Sequence, residues 1–268
     1  MRALITGLSG FAGSHLAEYL LRQPDVEVSG VVFGPVNQAE HLLNRIQAHQ
    51  IDLTDEEATR RVLRETNPDL IFHLAGQAYV PASWADPWQT LANNIRAQVN
   101  LLHGLVRLEL APRVLVIGSN EEYGRVSADR LPIDETTPLR PDSPYGVSKI
   151  TQDYLGLQYF ISHQLPVVRV RPFNHIGPRQ DGRFAAANFA RQIAEAEAGK
   201  RDTVIRVGNL DAQRDFTDVR DMVRGYALAL ERGKAGEVYN VGSGRPHAVR
   251  ELLDGLLKWA QVECTVVV

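Results

Sequence analysis

Short apolar runs alternate with helix-length amphipathic stretches through the first two thirds of the chain, and this rhythm limits the fold more than any other feature. The runs fall at residues 2–6, 26–33, 45–51, 69–73, 114–117 and 166–170. Helical patterns fill the gaps at 11–20, 55–65, 86–109 and 143–162. In the third of these, Leu91, Ile95, Val99, Leu102 and Val106 form an expected core stripe. In the last, Ser143 and Pro144 suit the Ncap and N1 positions. Near-continuous apolar strands separated by helices indicate a parallel sheet covered on both faces. Six in succession fit a doubly wound α/β domain better than a closed eight-stranded barrel.

After Arg171 the rhythm loosens. Residues 172–183 read as a loop, 184–197 as a helix and 203–207 as a short strand. Helices at 218–231 and 249–259 flank a strand at 238–241. The expected division is a dinucleotide-binding domain at 1–171, with 217–242 returning to it, and a smaller substrate-binding lobe from 172–216 and 243–268. The 268 residues carry a net charge of −3, which excludes a generally basic surface for nucleic acid or anionic membrane. The single cysteine, Cys264, excludes an internal disulfide framework and a thiolate zinc site. No apolar stretch has the roughly 18 residues of a membrane span. A soluble protein of a reducing compartment, the cytoplasm, is expected, with no metal site.

Gly7, Gly10 and Gly13 lie between the first strand and the first helix. Glycines there permit a tight turn, close approach of a pyrophosphate to the backbone, and close helix–strand packing. The helix N-terminus then offers its N–H groups to the phosphates. The loop predicts a dinucleotide site formed by Gly7, Gly10, Phe11, Ala12 and Gly13. An NAD site normally has a carboxylate about 20 residues further on. Here the second strand ends Val32-Phe33-Gly34-Pro35, with no acid before Glu40. NADP(H) is therefore the expected coenzyme, with NAD(H) also admitted. Asp52 either accepts a bond from the adenine amino group or caps the next helix.

Tyr145 and Lys149 stand four residues apart, on one face of a predicted helix. With 8 tyrosines and 4 lysines in the chain, chance would supply such a pair only about 0.12 times. An ammonium within about 4–6 Å lowers a phenol from its usual value near 10 by about 1–3 units. The pairing is thus expected to bring Tyr145 into the range of proton transfer. Ser119 follows the fifth strand, at the sheet edge where doubly wound folds bind ligands.

With these residues in place, the chain resembles the extended short-chain dehydrogenase/reductases that modify nucleotide sugars. The matching segments are the glycine loop, Asp52-Leu53, His73-Leu74-Ala75-Gly76, and residues 118–124, 143–149, 171–175 and 214–216. They cover the whole length in the family's order. Residues 174–178 and 208–211 look most like the GDP-4-dehydro-6-deoxy-D-mannose reductases. The resemblance implies a Rossmann fold and coenzyme contacts from Asp52, Leu53, Leu74, Ala75, Gly76, Tyr145, Lys149 and His175. It makes Tyr145 the proton donor, Lys149 its partner, and Ser119 the group that orients the sugar carbonyl. Asn174 and Arg214 would hold the diphosphate of a GDP-hexose.

The implied reaction is reduction of a C4 keto group by NADPH. The competing reaction is a 4,6-dehydratase or other nucleotide-sugar epimerase/dehydratase. Glu121 would be the base that removes the C5 proton in a dehydratase, or is a solvated loop charge, and it does not arbitrate. A non-catalytic NAD(P)-binding sensor is the remaining alternative. Family members pair the helix at 86–109 and the tyrosine-bearing helix with twofold mates, so a homodimer is expected. They also continue some tens of residues past Val268, so part of the substrate lobe is expected to lie beyond this sequence.

Overall fold

The computed structural model describes residues 1–36 and 38–268. The chain runs β1 (Arg2–Thr6), α1 (Phe11–Leu20), β2 (Glu27–Val32), β3 (Gln47–Gln50), α2 (Glu56–Thr66) and β4 (Leu70–His73). It continues α3 (Val80–Ala85), α4 (Pro87–Arg107), β5 (Arg113–Ile117), α5 (Pro144–His163) and β6 (Val167–Pro172). Next come β7 (Asn174–Ile176), α6 (Ala185–Glu197), β8 (Val204–Arg206), β9 (Gln213–Asp218) and α7 (Val219–Arg232). The last elements are β10 (Val238–Val241), β11 (Pro246–Ala248), α8 (Val249–Leu257) and β12 (Thr265–Val267). Two compact units result: Met1–Phe173 with Arg220–Val241, and Asn174–Val219 with Gly242–Val268.

The first unit holds a seven-stranded sheet in the order β10-β6-β5-β4-β1-β2-β3, and every pairing in it is parallel. This is the doubly wound, Rossmann-type arrangement expected from the alternating runs. The order reverses between β1 and β4, which opens a crevice beyond their C-terminal ends. Helices begin where their sequences start them. Ser143 caps α5 by accepting the Gly146 N–H at 3.0 Å, Pro144 follows in the first turn, and Asp55 caps α2 by accepting the Ala58 N–H at 3.0 Å.

The second unit packs a three-stranded sheet, β11-β9-β7, and a two-stranded one, β12-β8, with α6 and α8. Its core is Phe189, Ile193, Ile205, Leu210 and Leu253. The loop expected at 172–183 contains β7, whose Asn174, His175 and Ile176 pair with Phe216, Thr217 and Asp218. These strands have three or six residues and little apolar alternation, so local pattern does not announce them. The boundaries also move by two or three residues. Arg171 and Pro172 are still paired with Asn240 and Val241 in β6–β10, so the first unit extends past residue 171. Thr217 and Asp218 are held by β7, so the return comes at Arg220.

The buried face of α4 differs from the expected stripe. Leu101, Leu102 and Leu105 are fully buried together with Ala97, Asn94 and Gln98. Leu91, Ile95, Val99 and Val106 are only half-buried. Two polar residues on the inward face, Asn94 and Gln98, disguised it. Leu105→Ala is expected to lower the unfolding free energy by about 2–5 kcal/mol through the cavity it leaves. Val106→Ala should cost less than half as much, and urea unfolding of the two variants measures the difference.

Candidate active site

The glycine loop leaves β1 at Gly7, whose φ of +74° lies in the left-handed region. A Cβ there would come within 2.9 Å of the Ala75 nitrogen, so the loops after β1 and β4 touch only because Gly7 has no side chain. A Cβ on Gly13 would sit 2.1 Å from the Gly7 carbonyl oxygen, which explains how α1 packs so closely on the loop. Gly10 is the N-cap of α1 and supplies no side-chain cap. The helix start is therefore shaped to take a pyrophosphate on its N–H groups. Thr6 Oγ1 accepts the Ala75 N–H at 3.1 Å and lies 2.9 Å from His73 Nδ1, fixing the 74–76 segment over the crevice.

The tip of β2 carries no acid: Phe33 is 73% exposed and Gly34 follows with φ +73°. Asp52 is exposed, and its carboxylate accepts the Thr54 N–H at 2.8 Å. Asp55, rather than Asp52, caps the helix that follows. Leu53 is buried in the core of the first unit.

Ser119, Glu121, Tyr145 and Lys149 come together in the same unit. Ser119 sits at the end of β5 and its hydroxyl accepts the Glu121 N–H at 3.1 Å. Tyr145 is buried in the first turn of α5. Lys149 Nζ stands 5.9 Å from the centre of the Tyr145 ring. It donates to the Ile117 carbonyl at 2.8 Å and to Gln152 Oε1 at 3.0 Å. Burial lowers the Lys149 ammonium to about 8, partly opposed by Glu122.

The phenol corrects the sequence expectation. Burial pushes Tyr145 well above the usual tyrosine range, the Ser119 hydroxyl works against that, and the charges of Glu121 and Glu122 add to it. Desolvation of the phenolate outweighs the lysine four residues away, so Tyr145 is held as an acid.

A polar layer behind these groups was not singled out from sequence. Asn94 in α4 accepts the Gln77 N–H at 2.7 Å and donates to Ser148 Oγ at 3.0 Å. Gln152 donates to the Asn94 carbonyl at 3.1 Å and receives Lys149. Beneath Ser119, Glu122 accepts the Ser119 N–H at 2.8 Å and meets Arg171 Nε at 3.0 Å. Asp153 binds Arg171 at 2.7 Å and also Arg169. The signal was present: two arginines inside the apolar strand Val167-Val168-Arg169-Val170-Arg171 demand buried carboxylates.

In the second unit, Asn174 and His175 lie side by side on β7. Among the described residues, Asn174 Oδ1 is buried without a partner, and the His175 carbonyl accepts Gln180 Nε2 at 3.0 Å. Arg214 is exposed on β9, opposite His247. Its guanidinium bonds only the Gln213 carbonyl, at 2.7 Å, among the described residues. A cavity of about 510 Å³ lined by Ile176, Ala187, Phe216 and Leu252 lies within this unit and contains none of the catalytic candidates.

A family model for GDP-mannose 4,6 dehydratase matches residues 4–266. The chain belongs to the GDP-mannose 4,6-dehydratase family. It is 39% identical over 266 residues to a GDP-6-deoxy-D-mannose reductase of Pseudomonas aeruginosa, covering 99% of this chain and 82% of the relative. It is 31% identical to GDP-mannose 4,6 dehydratase of Homo sapiens, covering 94% and 70%. The solved structure of RMD from Pseudomonas aeruginosa complexed with NADPH superimposes with a TM-score of 0.88 at 39% identity, over 99% of this chain and 84% of that one. Membership of the GDP-mannose 4,6-dehydratase family agrees with the resemblance carried by the motifs. Among the described residues, no helix is long and apolar enough to cross a membrane.

One expectation follows from His73, which burial and the nearby Lys149 charge lower to about 3. Unfolded histidine titrates near 6.5, so neutral His73 favours the fold fully above about pH 6.5 and less as the pH falls towards about 3. Urea unfolding at about pH 7 and about pH 4.5 should show a larger loss for the wild type than for His73→Gln.

Proposed function

We propose that this chain is a reductase that delivers hydride from NADPH to C4 of a GDP-linked 4-keto-6-deoxyhexose. The observation that carries the choice of reaction is the 39% identity to a GDP-6-deoxy-D-mannose reductase, against 31% to a dehydratase. The site supports it, because a reductase needs a proton donor and Tyr145 is held as one. The coenzyme supplies the hydride when bound.

The glycine cradle fits its pyrophosphate, held by Gly7, Gly10, Phe11, Ala12 and Gly13. Asp52 and Leu53 serve the adenine end, and Leu74, Ala75 and Gly76 line the coenzyme. Tyr145 and Lys149 flank its nicotinamide half, and the family resemblance also assigns His175 to the coenzyme. The acid-free tip of β2 leaves nothing there to repel a 2′-phosphate, so NADPH is preferred over NADH. Ser119 orients the keto oxygen and Tyr145 gives it a proton. Lys149, charged at neutral pH, offsets the phenolate that forms. Asn174 and Arg214 in the second unit, proposed as the substrate-binding lobe, take the diphosphate. The lone Cys264 accords with a cytoplasmic setting.

Tyr145→Phe should lower turnover by about 10²–10⁴-fold while NADPH binding, followed by its fluorescence, stays within about twofold. Unimpaired reduction by this variant would remove the proton donor from the scheme. A second reading, the dehydratase, would use Glu121, whose charge acts on Tyr145. The reductase should oxidise one NADPH per keto sugar and leave GDP-mannose alone unchanged. Formation of the keto sugar from GDP-mannose without added reductant would make Glu121 the C5 base.

A homodimer is part of the same proposal. Trp88 on α4 and Val147, Tyr154 and Ile161 on α5 are exposed, and Leu91, Ile95 and Val99 are half-buried beside them. Exposed apolar residues on two adjacent helices suit an isologous contact. Light scattering should give a dimer for the wild type and a monomer for Ile95→Glu.

A further inference from the structure

Glu122 is a fully buried carboxyl in the turn between Ser119 and Tyr123, and the reaction above does not use it. Its Oε1 accepts the Ser119 N–H at 2.8 Å, and it folds back so closely that a Cβ on Gly118 would lie 2.2 Å from it. Its Oε2 meets Arg171 Nε at 3.0 Å, and Asp153 Oδ2 meets that same nitrogen at 2.7 Å. Arg171 Nε carries one hydrogen, so two carboxyl oxygens crowd a single donor. Asp153 is the better compensated anion, since it also pairs with Arg171 Nη2 at 2.7 Å and with Arg169.

The groups around Glu122 are therefore Ser119 and Glu121 on its own turn, Tyr145, Lys149 and Asp153 on α5, and Arg169 and Arg171 on β6. Tyr123 and the Glu135 carbonyl hold the far side of Arg171.

We propose that Glu122 is a positioning residue that works in its protonated form, holding the Ser119 N–H through one oxygen and donating a hydrogen bond to Asp153 through the other. The turn bearing Ser119 is then fixed without placing an anion behind Tyr145 as the phenol gives up its proton. Burial and the adjacent Asp153 push the Glu122 carboxyl up to about 8, in keeping with this state. Ionised Glu122 acts on Tyr145 to hold its proton more tightly, which opposes the transfer. Activity should therefore fall as the pH rises through that region.

The inference rests on the proposed reductase reaction, and its test separates the two. The experiment compares kcat and kcat/KM against pH, with NADPH and the keto sugar, for the wild type, Glu122→Gln and Glu122→Leu. Glutamine keeps the acceptor for Ser119 and a donor for Asp153 but cannot ionise. Glu122→Gln should retain at least about a third of the turnover near neutrality, and its alkaline limb should move up by about one unit. Glu122→Leu, lacking the acceptor, should lose about tenfold or more in kcat with KM for NADPH unchanged.

An alkaline limb that stays in place or moves down in Glu122→Gln overturns the proposal, since Lys149 would then govern it. Equal losses in the two variants would also overturn it. Infrared difference spectra read the protonated carboxyl directly, whatever the protein reduces. A carboxylic-acid carbonyl band should be present at neutral pH and missing in Glu122→Gln. Its absence from the wild type would refute the proposal even if the reductase reaction stands, and its presence would uphold the protonated state even if that reaction fails.

Discussion

Helices cover both faces of the central strands of the seven-stranded sheet, so a polar side chain leaving the middle of one has no water to turn to. Each must find its partner inside the protein, and those partners determine what stands at the sheet's C-terminal rim. Arg169 and Arg171 leave β6 and draw in Asp153 from α5 and Glu122 from the turn after β5. Those bonds fix α5 and the Ser119 turn against each other, which brings the serine to the phenol. On the other side of the switch point, Thr6 ties the ends of β1 and β4 together through His73 and Ala75. The crevice at the switch point and the proposed catalytic residues thus both depend on the dryness of one sheet.

The same dryness explains which chemistry the site favours. A phenol beside an ammonium in water would titrate low, whereas here the cost of desolvating a phenolate dominates. Lys149 is itself lowered and spends its hydrogen bonds on Ile117 and Gln152. The result is a phenol that is protonated at neutral pH, next to a cation that offsets the phenolate as its proton leaves. This balance suits a step that donates a proton to a developing alkoxide.

Much of this was legible from the residues. The strand runs read from the sequence located all seven strands of the main sheet: six are largely apolar, as buried parallel strands are, whereas β3 is a polar, mostly exposed edge strand. The glycines, Ser119, Tyr145 and Lys149 were legible because each answers a local demand of turn, strand end or helix face. The strands β7, β9 and β11 were not, since they exist by pairing with one another across long sequence separations. The inward face of α4 was misread because Asn94 and Gln98 look like surface residues until Ser148 and Gln152 are placed opposite them. The direction of the Tyr145 shift depends on solvent exclusion, which spacing along a helix does not encode.

Gly118 and Glu122 also constrain how this sequence can change. Any side chain at 118 would overlap the Glu122 carboxyl and crowd the Val170 carbonyl oxygen, which would lie 3.0 Å from a Cβ. The two positions therefore do not vary independently: in a lineage, residue 122 has to shorten before residue 118 can grow. The opposite order passes through an intermediate that cannot close the turn carrying Ser119. Such ordered dependence makes the pair strongly non-additive, and it would mark related sequences as a correlated exchange rather than as two separate substitutions.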